Sequence, residues 1–112
     1  MTMKVLLLMY HDEQALARLP REELSKLPGA FAAYVQALKD AGVLVGNNGL
    51  RPTAEAQTVR KWVVLDGPFA ETKEQLAGYF LLEVRDMEAA LSWAKRVPTA
   101  AYGAVEVRPV WT

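Results

Sequence analysis

The 112-residue chain contains no cysteine. Disulfides, thiolate nucleophiles and cysteine metal sites are therefore all excluded. It contains a single histidine, His11, so one chain cannot build a multi-histidine metal centre, and no metal or other cofactor is expected. Excess charge is also missing. Thirteen Lys and Arg balance thirteen Asp and Glu, and no block of like charge reaches five residues. A surface that binds nucleic acid through phosphates needs a positive excess, so direct nucleic-acid binding is not expected. Long apolar runs are absent as well. The longest near the start, Val5 to Tyr10, is far too short to cross a membrane or to serve as a secretory leader. The expectation is a cytoplasmic protein without a membrane partner.

What is present is globular composition: 52% hydrophobic and 23% charged residues. The length suits one domain, spanning 1–112, with one core.

The run Val5 to Tyr10 reads as a buried first strand. His11 to Leu19 is a polar connection with room for a helical turn. From Arg21 to Ala41, Leu24, Leu27, Phe31, Tyr34, Val35, Leu38 and Ala41 recur at helical spacing. Pro20 and the acidic pair Glu22 and Glu23 mark the helix start, and Gly42 its C-terminal cap. Pro28-Gly29 interrupts the stripe, which predicts a bend or two helical pieces.

Val43-Leu44-Val45 predicts a second strand, weakening towards Leu50, with Asn47-Asn48-Gly49 as a bulge or turn whose amides are available to a cleft. Thr58 to Leu65, rich in β-branched and aromatic residues, predicts one third strand. Asp66-Gly67-Pro68-Phe69 is the sharpest turn signal, and a tight turn modestly raises the share of cis bonds, about 5–6% for X-Pro in folded proteins, at Pro68. Glu71 to Gln75 suits a helical turn, and Gly78 to Val84 a fourth strand. Asp86 caps a second helix with the stripe Met87, Ala90, Leu91, Ala94 and Val97; Pro98 stops it. A last strand holds Val105 to Arg108.

The order strand–helix–strand, then strand–strand–helix–strand, is that of two split βαβ units. The fold class is α+β: a ferredoxin-like antiparallel sheet with its helices on one face. The opposite face then needs a cover. Val5–Met9, Trp62–Leu65 and Tyr79–Leu82 are apolar on both alternating sets, so a homodimer packed sheet to sheet is expected. Trp62, Trp93 and Trp111 read as interface or core residues.

The run Asp66-Gly67-Pro68-Phe69-Ala70-Glu71-Thr72-Lys73-Glu74, followed by Gly78-Tyr79-Phe80-Leu81-Leu82, resembles the signature of the DGPF proteins of the YCII-related family. Leu8-Met9-Tyr10, Ala41-Gly42-Val43-Leu44 and Val105-Glu106-Val107-Arg108-Pro109 extend the resemblance over nearly the whole chain. It implies a dimeric α+β barrel with a cleft in each protomer. Some members are proposed to use a His–Asp pair, and DGPF domains also occur with sigma factors. This chain departs from the pattern twice. The place of the family's histidine falls near Phe31, and the hairpin before the DGPF motif looks shortened, because Val59-Arg60 runs straight into Lys61-Trp62-Val63-Val64-Leu65.

Asp66 is the leading candidate for chemistry. Two readings stand: a general base lifted towards neutrality by an apolar cleft, or a turn cap accepting backbone N–H bonds. His11, near the rim of the first strand, is its candidate acid/base partner. Phe69 and Tyr79 are candidate walls of a binding cleft. Glu71, Thr72 and Lys73 are candidate polar contacts, with Lys73 suited to an anion. The functional expectation is a small-molecule-binding protein, in its enzymatic form a lyase or isomerase moving a proton with Asp66. The rival is a non-catalytic dimeric module that regulates transcription or binds a protein partner.

Overall fold

The computed structural model describes residues 1–111. The elements are β1 (Met3–His11), α1 (Glu13–Ala17), α2 (Arg21–Asp40), β2 (Leu44–Gly49), β3 (Gln57–Arg60), β4 (Val63–Asp66), β5 (Gln75–Val84), α3 (Met87–Ala94) and β6 (Ala104–Pro109). Short 3₁₀ turns cover Thr53–Glu55 and Pro98–Ala101. Four strands form an antiparallel sheet in the order β2-β5-β1-β6. That order, with both long helices on one face, is the ferredoxin-like arrangement expected from the sequence.

Strand alternation explains the two faces. Val5, Leu7 and Met9 of β1 and Phe80, Leu82 and Val84 of β5 are buried against Tyr34 and Leu38 of α2 and Ala90 and Ala94 of α3. Leu6, Leu8 and Tyr10, lying between them in β1, point to the other face, opposite Leu81, Tyr79, Glu106 and Arg108. No helix among the described residues covers that side.

The helix α2 runs unbroken through Pro28, so the alternative of two pieces is not realised. Pro28 is on the exposed side, where water can take up the carbonyl that the missing N–H leaves free. The stripe read from the sequence is the stripe that packs, with Tyr34 and Leu38 buried and Leu24, Leu27, Phe31 and Val35 half-buried. The helix ends in a Schellman motif. Gly42 takes φ +71°, its N–H donates to Lys39, and the Val43 N–H donates to Leu38. Asp86 caps α3 by accepting from the Ala89 N–H at 2.8 Å, and Asp12 caps α1 in the same way.

Three local expectations are corrected. The stretch Thr58 to Leu65 is two strands, β3 and β4, folded back on each other as a separate hairpin. Lys61 and Trp62 turn it with φ of 48° and 70°, the positive pair required by a tight type I′ hairpin. Neither residue is glycine, so no turn signal interrupted the β-branched run. Glu71 to Gln75 makes no helical turn; the segment is irregular until β5 begins at Gln75. Asn47, Asn48 and Gly49 are paired strand residues, and the irregularity lies earlier, between Leu44 and Gly46. No peptide bond among the described residues is cis, Pro68 included.

The hairpin stands off the body of the protein. Val59, Trp62, Val63, Val64 and Leu65 are all exposed, Trp62 at 95%. Of the three tryptophans only Trp93 joins the core, and Trp111 is 96% exposed. Among the described residues no helix is long and apolar enough to cross a membrane.

Candidate functional site

The main cavity lies between the helix face of the sheet and α2, at the end where β1 stops. Its volume is about 400 Å³. Met9, Leu16, Leu27, Phe31, Val35 and Phe80 supply apolar walls, and His11, Asn47, Thr99 and Tyr102 polar groups; Asn48 and Tyr79 border it, with their side chains on the open face by register. No Lys, Arg, Asp or Glu lines it. Sites for small organic ligands have this make-up: mostly apolar, with a few converging polar groups.

Three features put His11 there. Alternation along β1 sends the even-numbered Leu6, Leu8 and Tyr10 to the open face and leaves His11 on the helix side. Gly103 lies against its backbone; a Cβ there would be 3.2 Å from both Cα and Cβ of His11. Tyr102 sets its ring beside the imidazole, with centroids 6.1 Å apart. The Nδ1 of His11 is the one buried side-chain nitrogen or oxygen without a hydrogen-bond partner among the described residues. Leaving a buried polar atom unpaired costs about 1–3 kcal/mol, so such an atom calls for an explanation. On the open face of the sheet, where Asn48 is paired opposite Tyr79, Asn48 donates its amide to the Tyr79 hydroxyl at 2.9 Å.

The remaining candidates lie elsewhere, in two groups. Asp66 ends β4 at the root of the hairpin and is exposed. Its carboxylate accepts from the Gln57 amide at 3.2 Å. The turn below it is closed by backbone instead, the Gly67 N–H donating to Ala56 at 2.8 Å. Phe69 is 73% exposed, and the Arg60 guanidinium stacks over its ring at 4.7 Å. Neither Asp66 nor Phe69 lines the cavity, and Asp66 and His11 form no pair within the protomer.

Glu71 and Thr72 line a shallow polar depression with Glu13, Thr53, Pro68 and Gln75, and Lys73 borders a neighbouring one. The organising residue here is Glu13. Its carboxylate accepts from the N–H and hydroxyl of Thr53 at 2.9 and 3.0 Å, and its own N–H donates to the Gln75 side chain at 2.9 Å. This lattice ties α1, the Thr53–Glu55 turn and the start of β5 together. Nothing local marks Glu13 for that task, because its partners are 40 and 62 positions away.

The structure thus places His11 at the cavity, sets Tyr79 at its border with the side chain on the open face, and leaves the DGPF residues outside it. The cavity residues missed in the sequence are mainly Leu16, Leu27, Val35, Thr99 and Tyr102. Phe31 carried the one signal: the place where the resemblance puts a histidine is on the cavity wall.

An antiparallel ferredoxin-like α+β sheet with a cavity under its helices defines a broad class of small proteins. Comparison with known proteins narrows it. The YCII-related domain matches residues 3–112, and the chain belongs to that family. It is also similar to the uncharacterized protein R00369 of Rhizobium meliloti (strain 1021), 36% identical over 109 residues, which cover 92% of this chain and 88% of that one.

Proposed function

We propose that this protein is a cytoplasmic homodimer that binds a small organic molecule in the cavity beneath α2. The carrying observation is the cavity itself, about 400 Å³, apolar in its walls and holding an imidazole with an unpaired buried nitrogen. Binding is the reading the geometry favours. Proton transfer by Asp66, the lyase or isomerase form of the function, needs that carboxylate at a bound ligand. In one protomer Asp66 is on the hairpin, outside the cavity, so it would meet a ligand only through a second subunit.

Surface area supports the dimer. A compact monomer of this mass exposes about 6,100 Å², whereas the protomer exposes 8001 Å². Its radius of gyration is 15.4 Å, against about 13 Å for a compact chain of this length. The excess comes from a slab-like body, 42 × 41 × 18 Å, with an uncovered sheet face and a projecting apolar hairpin. A second copy is the occupant that could cover both at once. The exposed hairpin also favours a second reading, the docking module for a different protein.

The test of the binding reading is a thermal-shift screen of compact, largely apolar metabolites against the native protein and Leu27→Trp. The added indole would fill the cavity from the half-buried wall of α2. Hits should stabilise the native protein and lose their effect on a folded Leu27→Trp. Hits that stabilise both equally would bind elsewhere and overturn the proposal.

A further inference from the structure

The chemistry of the cavity wall says which molecules it admits. Every polar group on it is uncharged except the imidazole of His11, whose charge depends on its proton. A phosphate, sulfate or zwitterion brought into this space would leave water and find neither a Lys nor an Arg among the lining residues. Desolvating an ion without a partner is strongly unfavourable, so such ligands are excluded by the wall itself.

The wall is also asymmetric. Leu27, Phe31 and Val35 form an apolar side contributed by α2, while His11 and Tyr102 stand at the end of the sheet. The Nδ1 of His11 is buried and unsatisfied by the protein. A neutral imidazole offers one donor and one acceptor, and its χ2 torsion is soft, so a small ring rotation presents that nitrogen to a neighbour. Asn48 and Tyr79, by contrast, bond to one another on the open face of the sheet.

Resting on the binding reading above, we infer that the ligand is an uncharged molecule with an apolar or aromatic body and one hydroxyl, a phenol, enol or alcohol. Its hydroxyl hydrogen-bonds to the imidazole of His11 and its body lies against Phe31. The arrangement explains the orphan nitrogen: the ligand is its partner. It also gives Phe31 a task, as the apolar surface that a histidine at that place would not offer.

The experiment compares three probes of one size by calorimetry: 2-naphthol, naphthalene and 2-naphthyl phosphate. The native protein should bind 2-naphthol about tenfold more tightly than naphthalene, the effect of one satisfied buried hydrogen bond, and should bind the phosphate ester worst. In His11→Phe the preference for the hydroxyl should vanish or reverse. Equal binding of naphthol and naphthalene by the native protein, or a preference that survives His11→Phe, would overturn the inference while leaving the cavity as a binding site. Tight binding of the phosphate ester would overturn it too. Failure of all three probes to bind would overturn the inference, and the thermal-shift screen against Leu27→Trp then decides the cavity reading separately. The native-protein arm decides the question even where His11→Phe does not fold.

Discussion

Two glycines in this chain should respond to the same added methyl with opposite signs. Gly103 precedes β6 where that strand begins to pair with β1, and Ala104 is opposite Tyr10. A Cβ built on Gly103 falls 2.1 Å from the Tyr10 carbonyl oxygen and 3.2 Å from Cα and Cβ of His11. The atoms met are backbone or fixed to it, so the strands must part for an alanine to fit. Overpacking of this kind costs typically about 1–3 kcal/mol, and a clash with backbone belongs at the upper end. Gly29 is inside α2, is exposed, and a Cβ there meets nothing within 4 Å. Alanine at such a helix position gains about 0.5–1 kcal/mol. The two variants should therefore differ by about 3–4 kcal/mol. In urea unfolding, with an m-value of about 1.5 kcal/mol/M, their midpoints should be about 2 M apart, Gly29→Ala above the native protein and Gly103→Ala below it. Measurements belong at one protein concentration, because association adds to stability. Gly103→Ala should also weaken binding in the cavity, since the displaced segment carries His11. A Gly103→Ala protein within 0.5 kcal/mol of native would show that the Gly103–Tyr10 approach is not what holds this corner together.

Two further outcomes can be checked directly. Burial raises the pKa of the Tyr34 hydroxyl, which donates to the Trp93 carbonyl at 2.9 Å. Above about pH 10 the unfolded chain loses this proton while the folded one keeps it, so stability falls as pH rises through that range. Tyr34→Phe should lose about 1 kcal/mol at pH 7 and show a shallower decline between pH 9 and 11 in urea titrations; parallel declines would contradict the assignment. In sedimentation, the native protein should run as a dimer of about 25 kDa, twice the protomer's 12.4 kDa, and Trp62→Ser/Val64→Lys should shift it towards monomer. A native monomer would remove the homodimer and leave the hairpin to a different protein partner.

The periodic parts of the fold were legible without coordinates because period and burial agree there. The α2 stripe from Leu24 to Leu38 and the run Val5 to Tyr10 each carry a pattern that one secondary structure satisfies and another does not. Caps at Asp86 and Gly42 were legible because their chemistry is local. The hairpin was not. Residues 58–65 are β-branched or aromatic on both sides of Lys61-Trp62, and a left-handed turn made by a lysine and a tryptophan leaves no mark in composition. The family resemblance rested on a contiguous motif, so it could be read directly and is matched over residues 3–112.

The candidate site divides along the same line. That His11 is the only imidazole is a fact of the sequence. That its Nδ1 is buried without a partner, with the ring beside Tyr102, depends on chain segments some 90 residues apart meeting at one end of the sheet. Likewise Asp66, Phe69 and Tyr79 were grouped because they share or adjoin one motif, and His11 was joined to Asp66 as the lone imidazole, yet adjacency in the chain says nothing about which side of a hairpin a residue reaches. Sequence carries the short-range physics of propensity, capping and alternation. Which polar atoms end up unsatisfied, and around which cavity, is settled only when long-range packing chooses their neighbours.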